Sequence, residues 1–344
     1  MNNIQEAAKP IWEAIQKSKH ILLHLHPNPD PDSVGSALAM YHALRGVGKA
    51  VTVIGGDSPR PTFLAHLPGF GTIEPKNWSE INPADFDLFI ILDVGDRERI
   101  SRRVPVVFPP ALRTVAIDHH VTNKEFAEIN LIESKYPATA QILYELFREW
   151  KIKLTHDIAL CLFIGLWGDT LSFRIPATLP STFRAAADLV ERAPDFAAAI
   201  FAIENNRTPD ELRFQGLALS SLAILPGGRV AYAAVSHESL MEKRVDASLL
   251  ETGGLANFIK SVRGWEIGAC FTELEPGMVK ASFRARDVGR FDLSRLADAL
   301  GGGGHPAAAG VAFTCSLPEA VKRFRDAIES LYPELTKVAT ITGI

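Results

Sequence analysis

Cysteine is scarce. The chain of 344 residues has three, Cys161, Cys270 and Cys315, far apart. An odd number of distant thiols provides no disulfide framework and fits a reducing cytoplasm, where we expect the protein to reside. Long hydrophobic runs are also missing. No stretch of about 18 uncharged apolar residues occurs, so no membrane-spanning helix is expected. The first 19 residues carry Glu6, Lys9, Glu13 and Lys17 among apolar positions. They read as a surface helix, not a signal peptide. Neither sign of charge dominates. The formal net charge of −4 excludes the global basic character of a protein that binds long duplex DNA. There is no internal repeat and no low-complexity tail. What remains is globular: 47% hydrophobic and 22% charged residues, in a chain too long for one ordinary core. Two domains are expected.

Taken in order, the chain alternates apolar runs with helical patterns. Ile21 to Leu25, Ala50 to Ile54, Asp87 to Leu92 and Thr114 to Ile117 read as buried strands. A helix is expected from Ser33, which is its plausible cap, with Val34, Leu38, Tyr41 and Leu44 on one face. Ala138 to Trp150, Thr155 to Trp167 and Thr182 to Arg192 read as further helices. Strands separated by helices or long crossovers predict a doubly wound, mainly parallel α/β sheet. The character changes over 193–209, which reads as a helical linker. Beyond it a smaller α+β unit is expected, with strands at Val230 to Ser236, Glu266 to Glu273, Met278 to Ala285 and Val311 to Thr314. Its helices are expected over Ser248 to Ile259, over Leu293 to Leu300 and from Pro318. The expected division is 1–192, 193–209 and 210–344.

The chemistry collects at strand ends. One strand delivers His24 and His26, followed by Asp30 and Asp32; another ends on Asp93; a third ends on Asp118-His119-His120; and an apolar helix closes on Asp169. A single Asp could be a cap or a solvated turn. Six of these groups, His26, Asp30, Asp32, Asp93, His119 and Asp169, brought to element ends where α/β sheets place their functional crevice, point to a dinuclear metal site. Carboxylates and imidazoles without thiolate suit Mn²⁺, Mg²⁺ or Zn²⁺, and the excess of carboxylates favours Mn²⁺. A cation pair about 3.5–4 Å apart suits in-line displacement at phosphorus. A second signal lies downstream. Gly301 to Gly304, followed by His305, can bring backbone N–H groups close to an anion. Lys280, Ser282, Arg284 and Arg286 alternate on a strand and share a face suited to phosphate.

These segments resemble the DHH phosphoesterase superfamily over nearly the whole chain. The resemblance rests on His26-x-x-x-Asp30-x-Asp32, Asp93, Asp118-His119-His120 with Asn123, and Gly168-Asp169-Thr170. The run Gly301-Gly302-Gly303-Gly304-His305-Pro306 resembles the glycine-histidine signature of the associated C-terminal domain in the nanoRNase branch. The resemblance implies one metal held by His26, Asp30 and Asp93, and a second by Asp32, Asp93, His119 and Asp169. Asp118 would orient a ligand histidine, and His120 would face the scissile phosphate. Arg284, Arg286, Gly303, Gly304 and His305 would hold the terminal phosphate or nucleotide. The chain departs from the family where Pro31 separates the first carboxylates and where Val94-Gly95-Asp96 follows Asp93.

The implied activity is hydrolysis of very short single-stranded RNA, dinucleotides included, to mononucleotides. Removal of a phosphate from 3′-phosphoadenosine 5′-phosphate is implied beside it, as is a possible homodimer. Two alternatives stand at this stage: a phosphodiesterase for cyclic dinucleotides or their linear products, and a nucleotide-binding regulatory module without turnover. Loss of a ligand would favour the latter, and none is missing.

Overall fold

The computed structural model describes residues 3–246 and 252–337. The chain divides between Asn206 and Arg207 into two compact units. In the first, the elements run α1 (Ile4–Lys17), β1 (His20–His24), α2 (Pro31–Gly46), β2 (Ala50–Ile54), β3 (Ile73–Glu74), β4 (Leu88–Leu92) and β5 (Arg113–Asp118). β6 (Ile129–Ile132), α3 (Thr139–Glu149), α4 (His156–Asp169), α5 (Pro180–Arg192) and α6 (Phe196–Glu204) follow. The six strands form a parallel sheet in the order β3-β2-β1-β4-β5-β6. This is a doubly wound order. It reverses direction between β1 and β4, where such sheets open a crevice at the carboxyl ends of their strands.

The strands alternate between two cores. Ile21, Leu23, Leu88, Ile90, Leu92, Val115 and Ile117 pack with the helices. Leu22, Phe89, Ile91 and Ala116 face the other way, onto Trp78, Phe86, Val106 and Leu112 from the segments around β4. One face is therefore covered by helices and the other by short turns. The helical layer is tight where α2 crosses α4. A Cβ on Gly35 would lie 2.4 Å from the Cys161 carbonyl oxygen, and one on Gly165 would lie 2.9 Å from Asp32 Oδ1. Glycine at both positions lets two helices that carry carboxylates approach backbone to backbone. Within 193–209, α6 buries Ala199 and packs Phe196, Ile200 and Ile203 on the core of the first unit.

The second unit contains α7 (Pro209–Ser220), β7 (Ala223–Ile224), β8 (Val230–Val235), α8 (His237–Glu242), α9 (Thr252–Lys260), β9 (Ile267–Glu275), β10 (Met278–Ala285), α10 (Leu293–Ala299), β11 (Gly303–His305), β12 (Ala308–Thr314) and α11 (Leu317–Leu331). Its mixed sheet runs β11-β12-β10-β9-β8-β7, and only β8 and β9 pair in parallel. Part of the helix expected from Ser248 lies outside the described residues. The core is aromatic: Phe271, Phe283, Phe313 and Phe324 touch in a cluster. No described helix in either unit is long and apolar enough to cross a membrane.

Candidate metal centre

Helix α2 begins three residues earlier than a Ser33 cap would place it. Its N-cap is Asp30, whose Oδ1 accepts the Ser33 N–H at 2.9 Å. Ser33 is not the cap. It lies in the first turn, and its hydroxyl accepts the His26 N–H. Pro31 therefore occupies the first helical position, where a missing N–H costs nothing. The carboxylates on either side of this proline serve the helix differently: Asp30 caps it, and Asp32 lies buried in its positive first turn. Gly168 completes the arrangement. A Cβ there would strike the Pro31 ring at 2.6 Å, so glycine lets the end of α4 bring Asp169 to this corner.

Asp93 follows β4 and adopts φ +62°, a left-handed conformation that Asp tolerates better than most side chains. Its N–H donates to the Ile117 carbonyl, and its carboxylate is buried. Asp93 Oδ2 lies 3.4 Å from His26 Nε2, and Oδ1 lies 3.4 Å from His119 Nε2. One carboxylate thus faces two imidazoles through different oxygens. His26 Nε2 is 3.6 Å from Asp30 Oδ1, and His119 Nε2 is 3.1 Å from Asp169 Oδ2. Among the described residues, three overlapping groups have ligand atoms within 4.8 Å of one another: His26, Asp30 and Asp93 in one donor set, Asp32, His119 and Asp169 in a second, and Asp93, Asp118, His119 and His120, which shares Asp93 with the first and His119 with the second.

Charge balance makes these groups a fit for cations. Burial raises Asp32 well above the ordinary carboxylate range, and Asp93 and Asp169 raise it further. Burial and the same crowding lift Asp169 to about 7, against the pull of His119. Burial opposes protonation of His26, but Asp30 and Asp93 outweigh it and raise the imidazole to about 11. His119 follows the same logic, with Asp93, Asp32 and Asp169 overcoming burial to give about 10. Asp93 alone is held well below the ordinary range: its burial would raise it, but His119 and His26 prevail. Without cations, protons supply the positive charge that these carboxylates require. Divalent ions of the oxygen- and imidazole-preferring class supply it better.

Asp118 has a different partner from the one expected. It does not hold the ring of His119. Its Oδ1 accepts His120 Nδ1–H at 2.7 Å and the His119 N–H at 2.8 Å, and its Oδ2 accepts Asn123 Nδ2 at 2.7 Å. The imidazole it orients is thus that of His120, held through Nδ1. The Asp118 carboxylate also raises His120, against burial, so the ring stays protonated above its ordinary range. His24 lies fully buried. Neither ring nitrogen has a partner among the described protein groups, the ring stands edge-on to Phe89, and burial followed by the charge of His26 lowers it to about 3. It behaves as a core aromatic. Arg97 stacks over Phe108 and Arg99 faces Asp96, so both belong to the surface network.

In the second unit, strand pairing puts Arg284, Ala308 and His305 in one cross-strand row, and Ser282, Gly310 and Gly303 in the next row on that face. With strands about 4.8 Å apart, Arg284 and His305 flank a floor of small residues. Gly302 and Gly304 are required for another reason than anion binding. Cβ atoms there would strike Gly310 and Ala309 of β12 at 2.3 and 2.5 Å. Gly303 has open space above it. The expectation for Arg286 is corrected. Its guanidinium donates to the carbonyls of Lys260, Val262 and Trp265, so it terminates α9 and does not join the phosphate-suited face.

Comparison with known proteins identifies the family. Residues 20–166 match the DHH family, N-terminal domain, and residues 227–333 match the DHHA1 domain. The chain belongs to the DHH phosphoesterase family. A similar relative is the bifunctional oligoribonuclease and PAP phosphatase NrnA of Thermus thermophilus, 30% identical over 318 residues, with 92% of this chain and 90% of the relative covered. The protein of the same name from Bacillus subtilis is 25% identical, with 84% and 88% covered. An exopolyphosphatase-related protein from Bacteroides fragilis shares the fold, with a TM-score of 0.86 at 24% identity over 97% of this chain and 98% of that one. This DHH–DHHA1 chain falls in the nanoRNase branch.

Proposed function

We propose that this protein is a divalent-cation-dependent phosphodiesterase that hydrolyses very short oligonucleotides to mononucleotides and also removes the 3′-phosphate of 3′-phosphoadenosine 5′-phosphate. The observation that carries the reading is the Asp93 carboxylate, with one oxygen toward His26 and the other toward His119. His26, Asp30 and Asp93 would hold one cation, and Asp32, Asp93, His119 and Asp169 the other, with Mn²⁺ favoured by the carboxylate-rich donors. Bound there, a cation pair neutralises phosphoryl oxygens and acidifies water. The side chains do the rest. His120, held by Asp118 through Nδ1, presents a protonated Nε2 that can give its proton to the leaving oxygen. Thr139 donates its hydroxyl to Asp93 Oδ1 and helps keep that carboxylate in place. Arg284 and His305 would bind the phosphate of the substrate by charge-assisted hydrogen bonds. We assign catalysis to the unit that holds 1–192 and substrate binding to the unit that holds 210–344, with α6 of the 193–209 segment packed on the first.

The full set of donors and the oriented His120 favour an enzyme over a binding module without turnover. The test is a comparison of Mn²⁺-loaded protein on 5′-phosphorylated dinucleotides, 20-mers, phosphoadenosine phosphate and cyclic di-adenosine monophosphate. Dinucleotides should be cleaved fastest. Equal rates on dinucleotides and 20-mers would remove the short-substrate reading, and cleavage of the cyclic dinucleotide alone would replace it.

A further inference from the structure

Helix α3 has an unusual start. Its N-cap is Ala138, which offers no side-chain acceptor to the first-turn N–H groups, although alanine is a poor residue at that position. The missing cap comes from another helix. The Thr139 N–H donates to Asp32 Oδ2 at 2.6 Å, and the Ala140 N–H donates to Asp32 Oδ1 at 2.9 Å. Asp32 Oδ1 also accepts the Ser36 hydroxyl at 3.0 Å. Thr139 then turns its own hydroxyl to Asp93 Oδ1 at 3.1 Å. The residue is fully buried. It touches one carboxylate from each donor set, one with its backbone and the other with its side chain.

We infer that Thr139 is a positioning residue that fixes the spacing and rotation of Asp32 and Asp93 relative to each other, and through them the coupling of two cation positions. The inference rests on the proposed dinuclear reading and deepens it. Asp93 Oδ1 faces His119 Nε2 at 3.4 Å, His120 Nδ1 at 3.8 Å and the Thr139 hydroxyl at 3.1 Å, and of these three the hydroxyl belongs to the α3 turn that Asp32 caps. Without the hydroxyl, the Asp93 carboxylate keeps its imidazole neighbours but loses its link to the turn that Asp32 caps, so its rotation is no longer tied to that of Asp32. Groups that orient ligands in this way typically control metal affinity 10–100-fold.

The experiment is calorimetric titration of Mn²⁺ into chelator-treated full-length protein. Wild type should take up two Mn²⁺ per chain. Thr139→Val keeps the backbone donor to Asp32 and removes only the hydroxyl. It should weaken Mn²⁺ binding by about 10–100-fold, and turnover on a dinucleotide should fall with it. Thr139→Ser keeps the hydroxyl and should restore both. Wild-type Mn²⁺ affinity in Thr139→Val overturns the inference while leaving the dinuclear reading intact. Fewer than two Mn²⁺ bound by wild type overturns that reading and the inference together. If valine prevents folding, Thr139→Ser against Thr139→Ala makes the same comparison, and equal affinities overturn the inference.

Discussion

The crossing of α2 and α4 allows a sharp test, because two glycines of α2 should respond in opposite ways to the same substitution. In Gly35→Ala, the new Cβ would lie 2.4 Å from the Cys161 carbonyl oxygen and 3.0 Å from the Gly165 nitrogen. Both are backbone atoms of α4 and cannot rotate away. Ordinary contact begins near 3.4 Å, so the helices must part by about 1 Å in a layer packed at crystal density. Overpacking of this kind costs about 1–3 kcal/mol, and alanine returns up to about 1 kcal/mol of helix propensity. Taking the middle of that cost, about 2 kcal/mol, the net loss is about 1–2 kcal/mol. Urea unfolding followed by tryptophan fluorescence reads it, because Trp12, Trp78, Trp150 and Trp167 lie in the first unit and only Trp265 lies in the second. With a slope of about 2 kcal/mol/M, the midpoint should drop by ~0.5–1 M. Asp32 lies one turn before Gly35, so turnover should fall as well, by about 100-fold for a shift near 1 Å. Gly46→Ala is the control. Nothing lies within 4 Å of its Cβ position, and its midpoint should stay level or rise. A Gly35→Ala protein with the wild-type midpoint and full turnover would refute the claim that this crossing sets the site.

Metal removal should make stability depend on pH. His26 and His119, raised to about 11 and about 10, and Asp169, raised to about 7, all bind protons more tightly folded than unfolded. Their contribution is full below the unfolded values and is lost as pH rises through the folded ones. Chelator-treated protein should therefore lose stability from about pH 4, where Asp169 begins to count, to about pH 11, where His26 ends, in urea titrations, and Mn²⁺ should suppress that loss; a flat profile would count against the charge balance drawn here. Asp118→Asn should shift the alkaline fall of kcat to lower pH, because Asp118 is what keeps His120 protonated; an unchanged pH–rate profile would exclude His120 as the acid. Arg284→Ala should raise KM for dinucleotides with little change in unfolding. Arg286→Ala should instead lower the stability of the second unit by about 1–2 kcal/mol, measurable by Trp265 fluorescence, and the reverse pattern would restore Arg286 to the phosphate site.

Much of the fold was legible because the central strands are short apolar runs and their ends carry ionisable groups that no ordinary core would accept. The parts that were not legible share a physical cause. Strands β3 and β7 have two residues each, too few for any periodicity. Helix α7 carried a readable signal: Thr208 and Glu211 form a capping box across the end of the stretch that composition alone marks as a linker. Asp30 and Ser33 are both good caps, and only the Asp30 backbone, extended at φ −98°, decides between them. Arg286 continues the alternation of Arg284, yet a carbonyl-rich helix end lies within its reach. Thr139 gave no signal, since its role exists only once α3 meets α2. Gly35 and Gly165 are likewise unremarkable until two backbones cross.

The sequence order of the motifs also conceals which carboxylate can bridge. Three strand ends contribute side chains, in the chain order β1, β4, β5, and nothing in that order says which strand lies between the others. The sheet does. β4 pairs with β1 on one side and with β5 on the other, so only a residue at the end of β4 can face His26 from the β1 loop and His119 from the β5 loop at once. Extended backbone would continue the strand past that point. The left-handed turn at Asp93 stops it, at a cost of about 1–3 kcal/mol for a non-glycine residue. Asparagine and aspartate accept such a turn best, and only aspartate brings the negative charge that two cationic neighbours require. The strand order, the turn and the residue type are thus one requirement. A substitution that eased the backbone, Asp93→Gly, would remove the carboxylate that faces both imidazoles, and one that kept the shape, Asp93→Asn, would remove its charge.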